Sequence, residues 1–232
     1  MTDRSPRQLT FDLPLQASFD PEDFFVSACN EAAYAFLEAW PDWPQPAALL
    51  LGPAGSGKSH LAAVWAARSG AVTLGRARLS EAGIHDLADR PAVVLEDCDD
   101  PGDEALLFHL LNAMRERGAF LLMTAARPPE LWELRTPDLL SRLRLAQRIS
   151  IEEADEALLG ALLVKFFVER QMVVDTAVVE YVRPRIERSA AAARSFVETL
   201  DREGLSRRRR ITRAFVAEVL RGGDEDDPFL PL

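Results

Sequence analysis

The eight residues Gly52-Pro53-Ala54-Gly55-Ser56-Gly57-Lys58-Ser59 occupy every fixed position of the pattern Gly-x-x-x-x-Gly-Lys-Ser/Thr. This loop constrains the fold more than any other feature of the chain, because it works only between a buried strand and a helix whose amino end faces an anion. The flanking residues supply both. Ala47 to Leu51 is a short apolar run suited to a buried parallel strand, and His60 to Arg68 has helical composition. The glycines let backbone N–H groups turn toward phosphates, Lys58 offers a mobile cation to the outer phosphates, and the Ser59 hydroxyl is placed to ligate Mg²⁺. The expected ligand is ADP or ATP with Mg²⁺, held by residues 52 to 59 and the adjoining His60.

Such a loop needs a neighbouring strand that ends on acids. Ala92 to Asp97 is an apolar run closing on Glu96 and Asp97, with Asp99 and Asp100 just beyond. One carboxylate is expected on the metal's water shell and the other near the attacking water. Glu96 is assigned to the metal side and Asp97 to the water side. A third apolar run, Ala119 to Thr124, ends on a hydroxyl. Thr124 either senses the γ-phosphate or caps its strand, and spacing does not separate the two. Helical segments such as 105–117 lie between these runs, which predicts an α/β fold with a parallel sheet covered on both faces and ligands at the carboxyl ends of the strands.

Beyond residue 150 the apolar runs give way to helical periodicity. Leu158, Leu159, Leu162, Leu163, Phe166 and Phe167 form one stripe, and further helices are expected near 176–183, 188–203 and 212–221. Pro184 and Gly204 are read as breaks. The expected organisation is an N-terminal tail over 1–18, a nucleotide-binding α/β domain over 19–150, a small α-helical lid over 151–221 with the nucleotide in the cleft, and an acidic tail over 222–232.

At 232 residues and 48% hydrophobic composition the chain can bury a substantial core. It has neither an apolar stretch long enough to span a bilayer nor the layout of a signal peptide, so a cytoplasmic, membrane-free location is expected. Its net charge of −10 argues against direct sequence-specific DNA binding, and the Arg207 to Arg210 run reads as a solvated connector. Two cysteines and three histidines, all scattered, predict no disulfide or transition-metal site.

Four segments, Phe19 to Tyr34, the phosphate loop, Leu121 to Pro129 and Asp138 to Leu143, resemble the AAA+ core of the bacterial replication initiator DnaA. The likeness continues through Ala193 to Leu200 and Ile211 to Leu220, and so covers roughly residues 18 to 221. No helix-turn-helix DNA-binding domain of the DnaA kind is expected after residue 221. Near the N-terminus, Gln8, Leu9, Phe11 and Leu13 resemble the short peptide by which replication proteins dock on the β sliding clamp, an extended segment whose side chains fill pockets of a groove. The combination is similar to the Hda-type regulatory inactivators of DnaA.

What that resemblance implies is a nucleotide-bound protein, tethered to the clamp, that promotes ATP hydrolysis by DnaA and so restrains replication initiation. Arg142 matches the family's arginine finger, with Arg144 and Arg148 close enough to be confused with it. Arg194 matches the lid arginine known as sensor 2, and Phe25, Val26 and Asn30 fall in the segment that approaches adenine. Two departures, Ala126 where the family carries an acid and Glu96-Asp97 in place of two aspartates, imply slow turnover by the chain itself. A nucleotide-dependent homodimer is expected from the head-to-tail habit of AAA+ modules. Two other functions fit the same residues: an AAA+ motor or helicase loader driven by its own hydrolysis, and a clamp-tethered adaptor in which the nucleotide fold is scaffold.

Overall fold

The computed structural model describes residues 24–100 and 102–222. The clamp-like residues Gln8, Leu9, Phe11 and Leu13, and the acidic tail from residue 223 onward, lie outside the described residues. The chain divides into two compact units between Glu153 and Ala154, three residues later than the expected boundary.

The first unit is an α/β layer structure. Its elements in chain order are α1 (Glu31–Glu38), β1 (Ala47–Leu51), α2 (Lys58–Ser69), β2 (Val72–Gly75), α3 (Glu81–Ala88), β3 (Ala92–Glu96), α4 (Glu104–Glu116), β4 (Phe120–Ala125), α5 (Pro137–Leu143) and β5 (Gln147–Ser150). The strands form one parallel sheet in the order β2-β3-β4-β1-β5. The three central strands are apolar except for Glu96 and Thr124 near their carboxyl ends, because both of their faces are covered, as all-parallel sheets require. Alternate residues divide between the two faces. Leu49, Val93, Leu95, Leu121 and Met123 pack with α3, α4 and α5, whereas Ala48, Leu50, Ala92, Val94 and Leu122 pack with α1 and α2. The second face carries an aromatic cluster in which the Trp43 ring stacks on Trp65 with centroids 5.1 Å apart.

Because all pairings are parallel, the amino ends of the strands share one edge of the sheet and the carboxyl ends share the other. The register sets Ala47 beside Leu121 at the amino edge and Leu51 beside Ala125 at the carboxyl edge.

The second unit is helical: α6 (Glu156–Glu169), α7 (Thr176–Val182), α8 (Ala190–Arg207) and α9 (Arg213–Gly222). Side-chain caps start the first three, from Asp155 to the Leu158 N–H, from Asp175 to the Ala177 N–H and from Ser189 to the Ala192 N–H, each typically contributing about 1 kcal/mol. Leu163, Phe167, Val182, Val197 and Phe215 fill the core. Pro184 sits in a 3₁₀ turn just after α7, as a break should. Gly204 is not a break. It lies inside α8, buried, where a Cβ would meet Ile211 Cδ1 at 2.9 Å, so its small size serves close packing. The arginine run that follows is exposed and makes surface ion pairs at two positions, with Arg207 on Glu203 at 2.7 Å and Arg209 on Glu218 at 2.6 Å.

Candidate nucleotide site

The phosphate loop leaves the carboxyl end of β1 and enters α2. Gly55 and Gly57 adopt φ of 72° and 98°, a conformation that side chains with a Cβ strongly disfavour. Gly57 is the N-cap of α2 and no side chain caps that helix. The first N–H groups of α2 therefore lack an intrahelical partner and face outward at the positive end of the helix dipole. Gly52 is held for a different reason. A Cβ there would lie 2.7 Å from the Ile151 carbonyl oxygen and 2.8 Å from Ser56 Oγ. Among the described residues the Ser56 hydroxyl is buried without a hydrogen-bond partner. Pro53 and Ala54 form the exposed outer turn, and Ser59 is exposed at the start of α2.

Lys58 folds back over the loop, its Nζ donating to the Gly52 carbonyl at 2.7 Å and the Pro53 carbonyl at 2.8 Å. Burial lowers its pKa from the ordinary lysine value, while the Asp99 and Asp97 carboxylates act to raise it. Those two acids are thus the ones whose charge reaches the ammonium.

At the ends of β3 and β4 the chain ties itself together in both directions. The Thr124 hydroxyl accepts from the Asp97 N–H at 3.1 Å, and the Thr124 carbonyl accepts from the Cys98 N–H at 2.8 Å. In return the Asp99 carboxylate accepts from the Ala126 N–H at 3.2 Å and the Arg127 N–H at 3.1 Å. Thr124 is 1% exposed, and it holds Asp97 in a left-handed conformation with φ of 55°. The hydroxyl keeps its own proton to donate, so the capping arrangement does not consume it. Glu96 continues the alternation of Ala92 and Val94 and so belongs to the α2 face of the sheet. Asp99 was not singled out from sequence. Its part follows from the β3–β4 register, which no local spacing reveals.

Among the described residues no three His, Cys, Asp or Glu side chains converge as a metal cage. Mg²⁺ at a phosphate site needs none, since phosphate oxygens and water supply most of its octahedron. The residues available to it here are the exposed Ser59 hydroxyl and the acids at the end of β3.

Phe24 lies over the loop, its ring edge-on to His60 at 5.3 Å and stacked on Tyr34 at 5.9 Å. Asn30 is 2% exposed. Its Oδ1 accepts from the Ser27 N–H and its Nδ2 donates to the Phe25 carbonyl, both at 2.9 Å. Its amide thus shapes the turn that leaves Phe25 and Val26 at 40% and 47% exposure. Arg194, at the start of α8 in the helical unit, lies 3.6 Å from Glu169 and over the Phe166 ring at 4.3 Å.

The three arginines near α5 separate cleanly. Arg144 and Arg148 both bind Glu130, at 3.2 Å and 2.7 Å, and together bring its carboxyl pKa down to about 2, the Arg148 bond contributing most. Among the described residues Arg142 is in no ion pair or side-chain hydrogen bond. It lines a cavity with Ala47 and Leu121, at the amino edge of the sheet. The phosphate loop is at the other edge, and five residues of β1 separate the two by roughly 13 Å.

No protein-family model matches the chain. Solved structures do. Domain III of the Thermotoga maritima replication initiation protein DnaA aligns with a TM-score of 0.71 at 16% identity, over 90% of this chain and 98% of that one. The AMPPCP-bound DnaA from Aquifex aeolicus aligns with a TM-score of 0.70 at 15% identity, over 89% of this chain and 71% of that one. A Thermotoga maritima RuvB mutant aligns with a TM-score of 0.68 at 17% identity, over 86% and 70%. Identities this low establish the fold alone, an α/β fold with a five-stranded parallel sheet like that of the DnaA domain and of RuvB. No helix among the described residues is long and apolar enough to cross a membrane.

Proposed function

We propose that the chain is a nucleotide-binding AAA+ regulator of replication initiation, of the type that inactivates DnaA. The loop N–H groups of residues 55 to 59 and the Lys58 ammonium would hold the phosphates of ADP or ATP, with Ser59 and Glu96 toward Mg²⁺, His60 and the segment of Phe25, Val26 and Asn30 near the base, and Arg194 as the lid contact. A bound divalent ion would supply charge neutralisation between the outer phosphates. Asp97, steadied by Thr124, would act on the attacking water in whatever turnover the chain has of its own. The likeness to nucleotide-bound DnaA supports this reading of the loop.

The observation that carries the regulatory part is the position of Arg142. Among the described residues it has no ion pair or side-chain hydrogen bond, and it sits at the sheet edge away from its own phosphate loop, so it suits a nucleotide held by another molecule. A guanidinium presented across an interface meets charge developing on the transferred phosphoryl group and is typically worth ~10³-fold or more in rate. The β sliding clamp, through Gln8, Leu9, Phe11 and Leu13, would bring the chain to DnaA; self-association through the same edge would make a homodimer that hides Arg142.

The test is hydrolysis of ATP pre-bound to DnaA, with this chain, ADP and DNA-loaded clamp, comparing wild type with Arg142→Ala. Stimulation that disappears in the variant is the expected result. Folded, nucleotide-bound wild type that leaves DnaA hydrolysis unchanged would overturn the reading. A motor driven by its own hydrolysis would instead draw on Lys58, Glu96 and Asp97 of this chain. Brisk turnover without DnaA, abolished in Lys58→Ala, would select that alternative.

A further inference from the structure

Charge is spread unevenly along the chain. Residues 154–222, the described part of the helical unit, hold thirteen Lys and Arg against ten Asp and Glu, a balance of +3 in a chain whose total is −10. Most of those acids are already engaged. Seven of the ten are in ion pairs within the unit and two more, Asp155 and Asp175, cap helices. By contrast Arg185, Arg208, Arg210 and Arg213 are exposed, and among the described residues none of the four is in an ion pair.

Two of these arginines are held in place. The Arg185 guanidinium lies 3.9 Å from the centre of the Tyr181 ring and the Arg213 guanidinium 4.7 Å from it, so at most about 9 Å separates the two like charges. Arg185 also donates from Nη1 to the Tyr181 carbonyl at 2.7 Å. Attraction to an exposed ring, about 0.5–1 kcal/mol, fixes a guanidinium by its face and leaves most of its N–H edge for a ligand. Arg210 precedes Arg213 by three residues, which keeps their Cα atoms within about 11 Å.

We propose that this part of the helical unit binds the phosphate backbone of DNA without regard to sequence, through Arg185, Arg208, Arg210 and Arg213. The planar forks of arginine match phosphate oxygens in pairs, and the cations left unpaired here are arginines rather than lysines. Duplex DNA presents a charge for about every 1.7 Å of its axis, so it meets several guanidiniums at once. An acidic peptide would also want apolar anchor points, and from Tyr181 onward the only exposed large apolar side chain among the described residues is Leu205. The total of −10 limits affinity without forbidding contact, because charges more than ~8 Å apart are largely screened at physiological salt.

The test uses neither DnaA, nor the clamp, nor nucleotide, so its failure and that of the regulatory reading are separate events. Anisotropy of a labelled duplex of arbitrary sequence is followed on titration with the full chain. Four phosphate contacts predict a log–log salt slope of about −3.6, so affinity should fall about 100-fold between about 50 and 200 mM salt. Arg185→Ser with Arg213→Ser should lessen that slope by about 2 and weaken binding at least about tenfold at the lower salt. Arg208→Asn with Arg210→Ser should do the same. Asparagine tolerates the φ of 50° at position 208, and among the described residues neither side chain is in an ion pair or ring contact, so this pair keeps the test valid should the first unfold. Arg78→Ser with Arg90→Ser removes the same charge from exposed positions of the α/β unit and should leave binding within about twofold of wild type. The proposal is overturned if wild type does not bind at ~100 µM chain and low salt, where sequence-independent binding is ordinarily seen. It is equally overturned if either folded arginine pair binds like wild type, or if the α/β pair weakens binding as much. Displacement of the duplex by polyglutamate at equal charge would assign the arginines to an acidic protein and overturn it too.

Discussion

Gly52→Ala is the smallest change with a large expected effect. The added methyl would sit 2.7 Å from the Ile151 carbonyl oxygen and 2.8 Å from Ser56 Oγ, where ordinary contacts begin near 3.4 Å. Ser56 is a short side chain and can rotate; the carbonyl cannot, because it belongs to a backbone held by the bond from the Ile151 N–H to the Leu51 carbonyl at 2.7 Å. Relief therefore requires about 0.7 Å of separation between the start of the loop and the end of β5. Overpacking of this kind costs about 1–3 kcal/mol, and at roughly 2–4 °C per kcal/mol for a chain of this size the melting temperature should fall by several degrees. All four tryptophans, Trp40, Trp43, Trp65 and Trp132, lie in the α/β unit, so their fluorescence follows its unfolding separately from the helical unit. Nucleotide affinity, measured by titration of a fluorescent ADP, should fall at least about tenfold, equivalent to ~1.4 kcal/mol, because the displaced loop no longer presents its N–H groups together. Gly75→Ala is the control, since a Cβ there meets nothing within 4 Å and its φ is −76°. A Gly52→Ala protein that unfolds and binds nucleotide like wild type would refute the close approach on which the loop's geometry rests.

Three further outcomes are expected. Thr124→Val removes the acceptor for the Asp97 N–H and should lower stability by about 1–2 kcal/mol in urea titrations, whereas Thr124→Ser should recover most of it. Arg142→Ala should leave the unfolding midpoint within about 0.5 kcal/mol of wild type, since among the described residues its guanidinium has no ion pair or side-chain hydrogen bond, while Arg148→Ala should lower it by removing a partner of Glu130. The Glu104 carboxylate accepts from the Arg135 and Thr136 N–H groups, and these bonds, the Arg135 one first, bring its pKa below the ordinary value. Its contribution is therefore complete above the unfolded pKa of ~4.3 and is lost as pH falls through the lower folded value, so the small advantage of wild type over Glu104→Gln, under ~1 kcal/mol at this exposed site, should close in acid.

The parts legible in the sequence were those whose burial is encoded in consecutive residues. Ala47–Leu51 reads as a strand because both faces are covered and every residue is apolar; β3 and β4 read the same way to within one residue at an end. At the sheet edges that signal fails. β5 is Gln-Arg-Ile-Ser with one buried side chain, and β2 has none, so pairing with β1 and β3 makes them strands rather than their own composition. Gly204 misled because glycine tolerates a turn but here admits Ile211 against a helix. Within the site, the loop pattern carried its own geometry. Distinguishing Arg142 from Arg144 and Arg148 required Glu130, twelve residues before the first of them, and the role of Asp99 required the far end of β4.

Lys58 gives the loop a threshold. With its ammonium spent on the Gly52 and Pro53 carbonyls, the cation has to be released before it can serve a ligand, and bonds from a charged donor of this sort are worth about 1.5–3 kcal/mol each. A lone inorganic anion, offering a single tetrahedron, competes poorly against two carbonyls already in place. A polyphosphate chain does better, since it meets the helix N–H groups and the lysine together and so replaces both contacts in one exchange. If the loop holds phosphates as proposed, it would discriminate by the number of linked phosphates, and it would do so with no residue beyond those that do the binding.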